Sequence, residues 1–147
     1  MTTKTSEKTS LEIKRFINAP RARVYAAWTD PAQLKEWWGP ESVRTRNLVA
    51  DPRVGGKFLI VMNVGGQDLP HRGEYLEIER HTRMVFTWVS AHAGEGSRVT
   101  LRFVEIPGGQ TRLTLEHVGL PDAEQANHHS GWSNILAELS ALDGLVT

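Results

Sequence analysis

Three histidines near the end of the chain could carry chemistry. His117 ends a predicted strand in phase with Leu113 and Leu115, so the three side chains are expected to face one side. His128 begins the inner stripe of the helix predicted next, and His129 lies beside it. Imidazole donates, accepts and titrates near neutral pH, so these groups could form a polar rim that orients a ligand. We favour the alternative, in which backbone groups satisfy His117 and solvent covers the other two.

A catalytic role is open for two residues. Glu74 could face inward with Leu76 and Ile78, and a buried carboxylate beside His71 would form an acid–base pair. A salt-bridged position at a sheet edge is the more common role of such a glutamate. His117 is the second catalytic candidate, although we favour a protein without enzyme activity.

Sequence motifs for nucleophilic or metal-dependent chemistry are missing. The chain has no cysteine, no GxSxG elbow and no HExxH motif. His128 and His129 would project about 100° apart on a helix, which disfavours joint binding of one ion. We therefore expect neither a metal nor a cofactor.

Large apolar side chains form the other set with a possible binding role. Tryptophan rings can line a pocket for an apolar ligand, or they can fill a core and bury about 150–250 Å² each. Gly131 lies within the last predicted helix, where glycine costs roughly 0.5–1 kcal/mol relative to alanine, so a close approach or space for a ligand would explain it. The residues expected to bind the ligand are Trp37, Phe58, Ile60, Met62, Trp88, Phe103, His117, His128, Trp132 and Ile135.

Composition excludes several classes of protein. The 147 residues include 17 basic and 17 acidic side chains, a balance that argues against nucleic-acid binding. No apolar run approaches the ~20 residues that cross a bilayer. Residues 1–10 lack the apolar segment of a secretory signal, so we expect a disordered tail and a cytoplasmic protein. The oligomeric state is left open.

Two short helices are predicted between the first strand and the others. Residues 11–19 alternate as a strand, and helical spacing runs from Pro20 to Trp28. Asp30 caps a second helix that has Pro31 in its first turn. Period-two patterns then predict strands over 43–50, 57–63, 72–80, 83–90, 97–106 and 110–118.

A long amphipathic helix is predicted from Pro121 to about Leu142, a length of roughly 30 Å. Its apolar side must cover a surface, and the sheet is the only large apolar surface available. Helices segregated to one side of an antiparallel sheet define an α+β protein. The inner stripe comprises His128, Gly131, Trp132, Ile135, Leu136, Leu139 and Leu142.

An ordered series of short motifs extends from Leu11 to Leu142. It comprises Ala19-Pro20 with Val24 and Trp28, Asp30-Pro31 with Leu34, Trp37-Trp38-Gly39-Pro40, Asp51-Pro52-Arg53 with Gly55-Gly56, Gly73-Glu74-Tyr75 with Glu77-Ile78, Val85-Phe86-Thr87-Trp88, Thr111-Arg112-Leu113-Thr114-Leu115 with His117, and Gly131-Trp132 with Leu136 and Leu139. This series resembles the START-like (SRPBCC, or polyketide cyclase/dehydrase and lipid transport) superfamily. More narrowly, it resembles the family of the activator of heat-shock protein 90 ATPase homologue. The turn Arg80-His81-Thr82 departs from the family, which often has proline there.

The resemblance implies a helix-grip fold, in which a curved antiparallel sheet wraps around the long C-terminal helix. It implies one such domain over residues 11–147. Its implied function is the binding of a small hydrophobic molecule in an internal cavity, and we rank this function first. Because fold alone does not fix activity, two other functions are kept as alternatives. A chaperone partner, through an interaction with the heat-shock protein 90 ATPase, is the alternative. A cyclase or hydrolase ranks third.

Overall fold

The structure is a computed structural model that describes residues 9–38 and 44–141, without the side chains of residues 44–47 and 64. The elements of the described residues in chain order are β1 (Thr9–Ile17), α1 (Arg21–Thr29), α2 (Pro31–Trp37), β2 (Arg44–Ala50), β3 (Lys57–Val64), β4 (Gln67–Glu79), β5 (Arg83–Ser90), β6 (Gly94–Ile106), β7 (Gln110–Val118), a 3-10 turn (Asp122–Glu124) and α3 (Gln125–Ser140). This order confirms the predicted α+β helix-grip fold.

Some predicted bounds differ from the observed ones. Thr9 and Ser10 lie in β1 and not in the predicted tail. The β3–β4 turn is shorter than predicted because Gly65 and Gly66 both have positive φ, which allows a two-residue hairpin and lets the strand pairing begin at Gln67. The predictions for residues 1–8, 39–43 and 142–147 lie outside the described residues.

The seven strands form one antiparallel sheet in the order β1-β7-β6-β5-β4-β3-β2. The first strand therefore pairs with the last, directly before the chain enters α3. Helix α3 then packs back against β1. This arrangement brings the end of β7 and the first turns of α3 next to the middle of the sheet. No helix in the described ranges is long and apolar enough to cross a membrane.

Helices α1 and α2 form a compact pair against the sheet. The carboxylate of Asp30 accepts a hydrogen bond from the Ala32 amide at 3.0 Å, and Pro31 occupies the first turn, as predicted. The indole nitrogen of Trp37 donates to the carbonyl of Ala27 at 3.0 Å, so its polar atom is satisfied inside the core. This bond fixes α2 onto α1.

All five tryptophans are buried in one connected aromatic cluster. Trp28 and Trp37 have ring centroids 4.8 Å apart, and Trp38 lies 5.9 Å from Trp28. Trp38 also contacts Trp132 of α3 at 5.8 Å, and Trp132 lies 4.8 Å from Trp88 of β5. We call these five residues the tryptophan cluster; it joins both short helices to the sheet and to α3.

The interior beneath α2 is filled by side chains. A void of only about 20 Å³ remains there, which is space for about one water molecule. It is lined by Trp28, Leu34, Trp38, Ala50, Phe58, Ile60, Tyr75, Met84, Phe86 and Trp88. This part of the interior therefore has no room for a small-molecule ligand.

Candidate ligand-binding cleft

A cleft of about 480 Å³ lies between α3 and strands β3, β4 and β5. Its volume falls within the range of small-molecule sites, about 300–1,000 Å³. The cleft is lined by Met62, Leu69, His71, Trp88, His92, Glu124, Asn127, His128, Ser130, Gly131, Trp132, Asn134 and Ile135.

The lining divides into an apolar floor and a polar rim. We call the buried Met62, Trp88, Trp132 and Ile135 the floor. The exposed side chains on the lining are His92, Asn127, Ser130 and Asn134, and we call these the rim. A ligand that enters past the rim would therefore lay its apolar part on two tryptophan rings.

His117 holds the floor in place through a directed chain of hydrogen bonds. An indole N–H can only donate, so the 3.1 Å contact from Trp132 Nε1 makes His117 Nδ1 an acceptor. The neutral ring then carries its proton on Nε2, which lies 3.0 Å from the Ser97 hydroxyl oxygen. Ser97 in turn donates to the carbonyl of Trp88 at 2.6 Å.

The same chain determines the protonation state of His117. The side chain is fully buried, and this desolvation, with the nearby His128, lowers its pKa to about 3. A neutral ring with both nitrogens engaged neither titrates at pH 7 nor reaches the cleft. The geometry thus favours a positioning role for His117 over a catalytic one.

His71 lines the cleft, but it is not paired with Glu74. Desolvation lowers the pKa of His71 to about 4, and its Nδ1 lies 3.0 Å from the carbonyl of Leu69. Glu74 pairs with Lys57 in the register, on the opposite face from His71. The suggested inward acid–base pair is therefore wrong.

Leu76 also departs from the predicted inward face. At a β-bulge between Tyr75 and Glu77, β4 advances by two residues while its partner β5 advances by one. Leu76 is 39% exposed, whereas Ile78 packs against the core. The extra residue breaks the alternation that had assigned Leu76 and Ile78 to one face.

His128 and Glu124 form a pair one helical turn apart at the cleft. His128 Nδ1 lies 3.1 Å from the Glu124 carbonyl oxygen and 3.5 Å from its carboxylate. The other carboxylate oxygen lies 3.9 Å from His92 Nδ1. Desolvation is the largest influence on His128 and lowers its pKa, so its imidazole is neutral at pH 7.

Gly131 leaves open space on the cleft side of α3. A Cβ atom at this position would meet no atom within 4 Å. A close approach of helix to sheet therefore does not account for this glycine. The observation favours the other reading, in which the position contributes volume to the cleft.

The structure brings together half of the residues that were expected to bind a ligand. Met62, Trp88, His128, Trp132 and Ile135 line the cleft. The other five pack elsewhere: Phe58 and Ile60 face the small void, and Trp37, Phe103 and His117 lie in the core. His129, which was considered only for a polar rim, is exposed outside the cleft.

Sequence reasoning missed most of the polar lining. The spacing of Glu124 and His128 could have revealed their pairing, because residues four apart share one helix face. His92 follows the end of β5, and no local pattern indicates that its turn folds toward α3. Among the described residues, no group of three or more histidine, cysteine, aspartate or glutamate side chains could hold a metal ion.

The fold and the matched sequence together define the class of this protein. A seven-stranded antiparallel sheet, two helices after the first strand and a C-terminal helix across the sheet form the helix-grip fold of the START-like superfamily. Residues 18–143 match the family described as "Activator of Hsp90 ATPase homolog 1-like protein". The chain belongs to this family, as the sequence motifs predicted.

Solved structures support this membership. A Chromobacterium violaceum protein is 30% identical with a TM-score of 0.82, over 93% of this chain and 97% of the other. An AHSA1-like protein from Aeromonas hydrophila is 25% identical with a TM-score of 0.72, over 88% and 90% of the two chains. CalU16 from Micromonospora echinospora is 28% identical with a TM-score of 0.68, over 87% and 71%. No curated protein matches this sequence.

Proposed function

We propose that this protein binds a small hydrophobic molecule in the cleft between α3 and the sheet. The observation that carries the proposal is the cleft of about 480 Å³ with two tryptophans in contact on its floor, their ring centroids 4.8 Å apart. Burial of an apolar ligand there would gain roughly 25 cal/mol for each Å² removed from water. The polar rim would orient the ligand and separate its apolar part from solvent.

Gly131 supports the same proposal. Glycine in the middle of a helix costs stability, and at this position it leaves volume that a side chain would occupy. Trp88 and Trp132 border that volume. The open space at Gly131 therefore lies in the same cleft as the two tryptophans of the floor.

A thermal-shift screen with fatty acids, aromatic polyketides and isoprenoids tests the proposal. A ligand at about 100 times its Kd stabilises a protein of this size by roughly 5–10 °C. A ligand that contacts Trp88 and Trp132 should also change tryptophan emission. If no apolar compound changes either signal, the proposal is wrong.

A matched pair of variants locates the binding. Gly131→Leu places an isobutyl group in the cleft, whereas Ala137→Leu adds a similar group to an exposed position of the same helix. The first variant should remain folded and lose the ligand-induced shift. The second should keep it. Equal shifts in both variants would place the ligand outside the cleft.

The family description supports a second candidate function. It names an activator of the Hsp90 ATPase, so a chaperone interaction is the alternative to small-molecule binding. Addition of saturating protein to purified Hsp90 should then raise the rate of ATP hydrolysis. An unchanged rate would exclude this activity for the Hsp90 used.

An enzymatic role has less support. Both ring nitrogens of His117 are occupied, and Glu74 faces away from His71. The two catalytic candidates therefore do not form a site with the cleft.

A further inference from the structure

We infer that the cleft selects uncharged apolar molecules that carry a hydroxyl group, with His128 Nε2 as the acceptor for that hydroxyl. The inference rests on the proposed function and specifies its ligand class. It is carried by the geometry of His128, by the adjacent carboxylate of Glu124 and by the aromatic floor.

The first step is the position of the proton on His128. The Glu124 carbonyl oxygen can only accept a hydrogen bond, so the 3.1 Å contact requires that His128 Nδ1 carries the proton. In the neutral ring, Nε2 then has a free lone pair. Within residues 9–38 and 44–141, no protein donor lies within hydrogen-bond distance of Nε2. The cleft therefore presents a fixed acceptor.

The second step is the charge beside that acceptor. The Glu124 carboxylate lies 3.5 Å from His128 Nδ1 and 3.9 Å from His92 Nδ1. A ligand carboxylate at Nε2 would meet a lone pair and approach this negative charge. A ligand hydroxyl instead donates to the lone pair and brings no charge into the cleft. The arrangement thus discriminates against anionic ligands through repulsion as well as through an unmatched acceptor.

The third step concerns the rest of the ligand. The edge-to-face contact between the His128 and His117 rings, 5.5 Å between centroids, holds His128 beside Trp132. A molecule whose hydroxyl reaches Nε2 can therefore place its apolar body on the floor. Aromatic ring systems suit this floor because Trp88 and Trp132 supply aromatic contacts from rings tilted by 50° to each other.

Three probes of matched size test this inference: naphthalene, 2-naphthol and 2-naphthoate. Titrations followed by the amide NMR signals of the full chain at pH 7.5 give each Kd and show whether residues of the cleft respond. We expect 2-naphthol to bind about 2- to 10-fold more tightly than naphthalene, the net effect of one hydrogen bond. We expect 2-naphthoate to bind more weakly than either.

His128→Phe keeps an aromatic ring beside His117 and removes the acceptor. In this variant, naphthalene and 2-naphthol should bind with equal Kd. His129→Phe is the control, because it makes the same change at the adjacent exposed position. It should retain the preference for 2-naphthol.

Acidification supplies a test that needs no variant. Once the pH falls below the lowered pKa of His128, protonation converts Nε2 into a donor, so the preference for 2-naphthol should fall and 2-naphthoate should gain. The titratable groups that face His128 are Glu124 in the 3-10 turn before α3, His92 before β6, His71 on β4 and His117 on β7.

The outcomes separate the inference from the proposed function. Equal Kd values for naphthalene and 2-naphthol in the natural protein would overturn the hydroxyl preference while leaving apolar binding in place. Tighter binding of 2-naphthoate at pH 7.5 would also overturn it. If the cleft signals respond to none of the three probes, both the inference and the proposed function fail.

Discussion

At the scale of single residues, the hydrogen-bond chain through His117 connects the sheet to α3. It runs from Trp132 through His117 and Ser97 to the carbonyl of Trp88, and each link has a defined donor. Such a buried network stabilises a structure only when every member is satisfied, because an unpaired polar group in the core is costly. The chain therefore fixes the two tryptophans that form most of the floor.

Ser97→Ala tests this chain directly. The variant leaves the His117 Nε2–H without an acceptor, which should lower the free energy of unfolding by about 1–3 kcal/mol. Urea denaturation at pH 7.5 measures the change. Ser130→Ala, on the exposed rim, should stay within about 0.5 kcal/mol of the natural protein. If Ser130→Ala lowered the free energy of unfolding as much as Ser97→Ala, the effect would come from removing a serine hydroxyl in general and not from breaking this chain.

The buried histidines predict a loss of stability on mild acidification. The pKa values of His117 and His71 fall to about 3 and about 4, whereas unfolded histidine titrates near 6.5. Between these values the unfolded chain binds more protons than the folded one, so stability is full above pH 6.5 and decreases as the pH falls toward the folded values.

Each of the two histidines should contribute about 1.4 kcal/mol per pH unit in that window. Urea midpoints from pH 7.5 to pH 5 measure the slope before most carboxylates titrate. His71→Leu should reduce it. A midpoint that stays constant between pH 7 and pH 5 would contradict the neutral, buried state of these rings.

At the scale of elements, the glycines Gly131 and Gly73 lie in opposite surroundings. Gly131 in α3 faces open space, whereas a Cβ at Gly73 in β4 would collide with the Thr87 carbonyl and approach the Phe58 ring to 2.5 Å. The first glycine leaves volume for the cleft, and the second allows an aromatic ring to pack on the backbone of the neighbouring strand.

The same substitution should therefore have opposite effects at the two sites. Gly131→Ala should stabilise the protein by about 0.5–1 kcal/mol through helix propensity. Gly73→Ala should destabilise it by more than about 2 kcal/mol because backbone and core must shift. Chemical denaturation of both variants measures the difference, and destabilisation by Gly131→Ala would show that α3 lies closer to the sheet than described.

At the scale of the whole molecule, the tryptophan cluster joins elements that are far apart in sequence. It links α1 and α2 to β5 and α3, and all of its rings are buried. Because the first strand also pairs with the last, neither end of the described chain forms a separate unit. The contacts favour a single cooperative structure.

We expect unfolding in one transition. Tryptophan fluorescence, which reports on the cluster, and far-UV circular dichroism, which is dominated by the backbone, should give the same urea midpoint. Dynamic light scattering across the titration excludes aggregation as the cause of either signal. Separate midpoints would mean that the short helices leave the sheet before it unfolds.

Much of the fold was predictable from the sequence because period-two and period-3.6 patterns report directly on local structure. The Asp30-Pro31 start of α2 and the bounds of β5 and β7 agree with the structure. The bulge at Leu76 was not predictable, since one extra residue in a strand leaves no distinct pattern in composition. The Glu74–His71 pair, by contrast, could have been rejected from the sequence, because residues three apart in a regular strand point to opposite faces of the sheet.

The sequence by itself determined the order of elements, the family and the amphipathic side of α3, because these depend on neighbours along the chain. Only the tertiary structure decided which apolar residues border open space: Met62 and Trp88 do, whereas Trp37 and Phe103 are enclosed in the core. It also decided that His117 is a buried, neutral support and that His128 presents an acceptor to the cleft. The physical reason is that the open volume of a cleft and the direction of its hydrogen bonds depend on contacts between strands and helices that are distant in sequence. The local spacing of residues therefore cannot predict them.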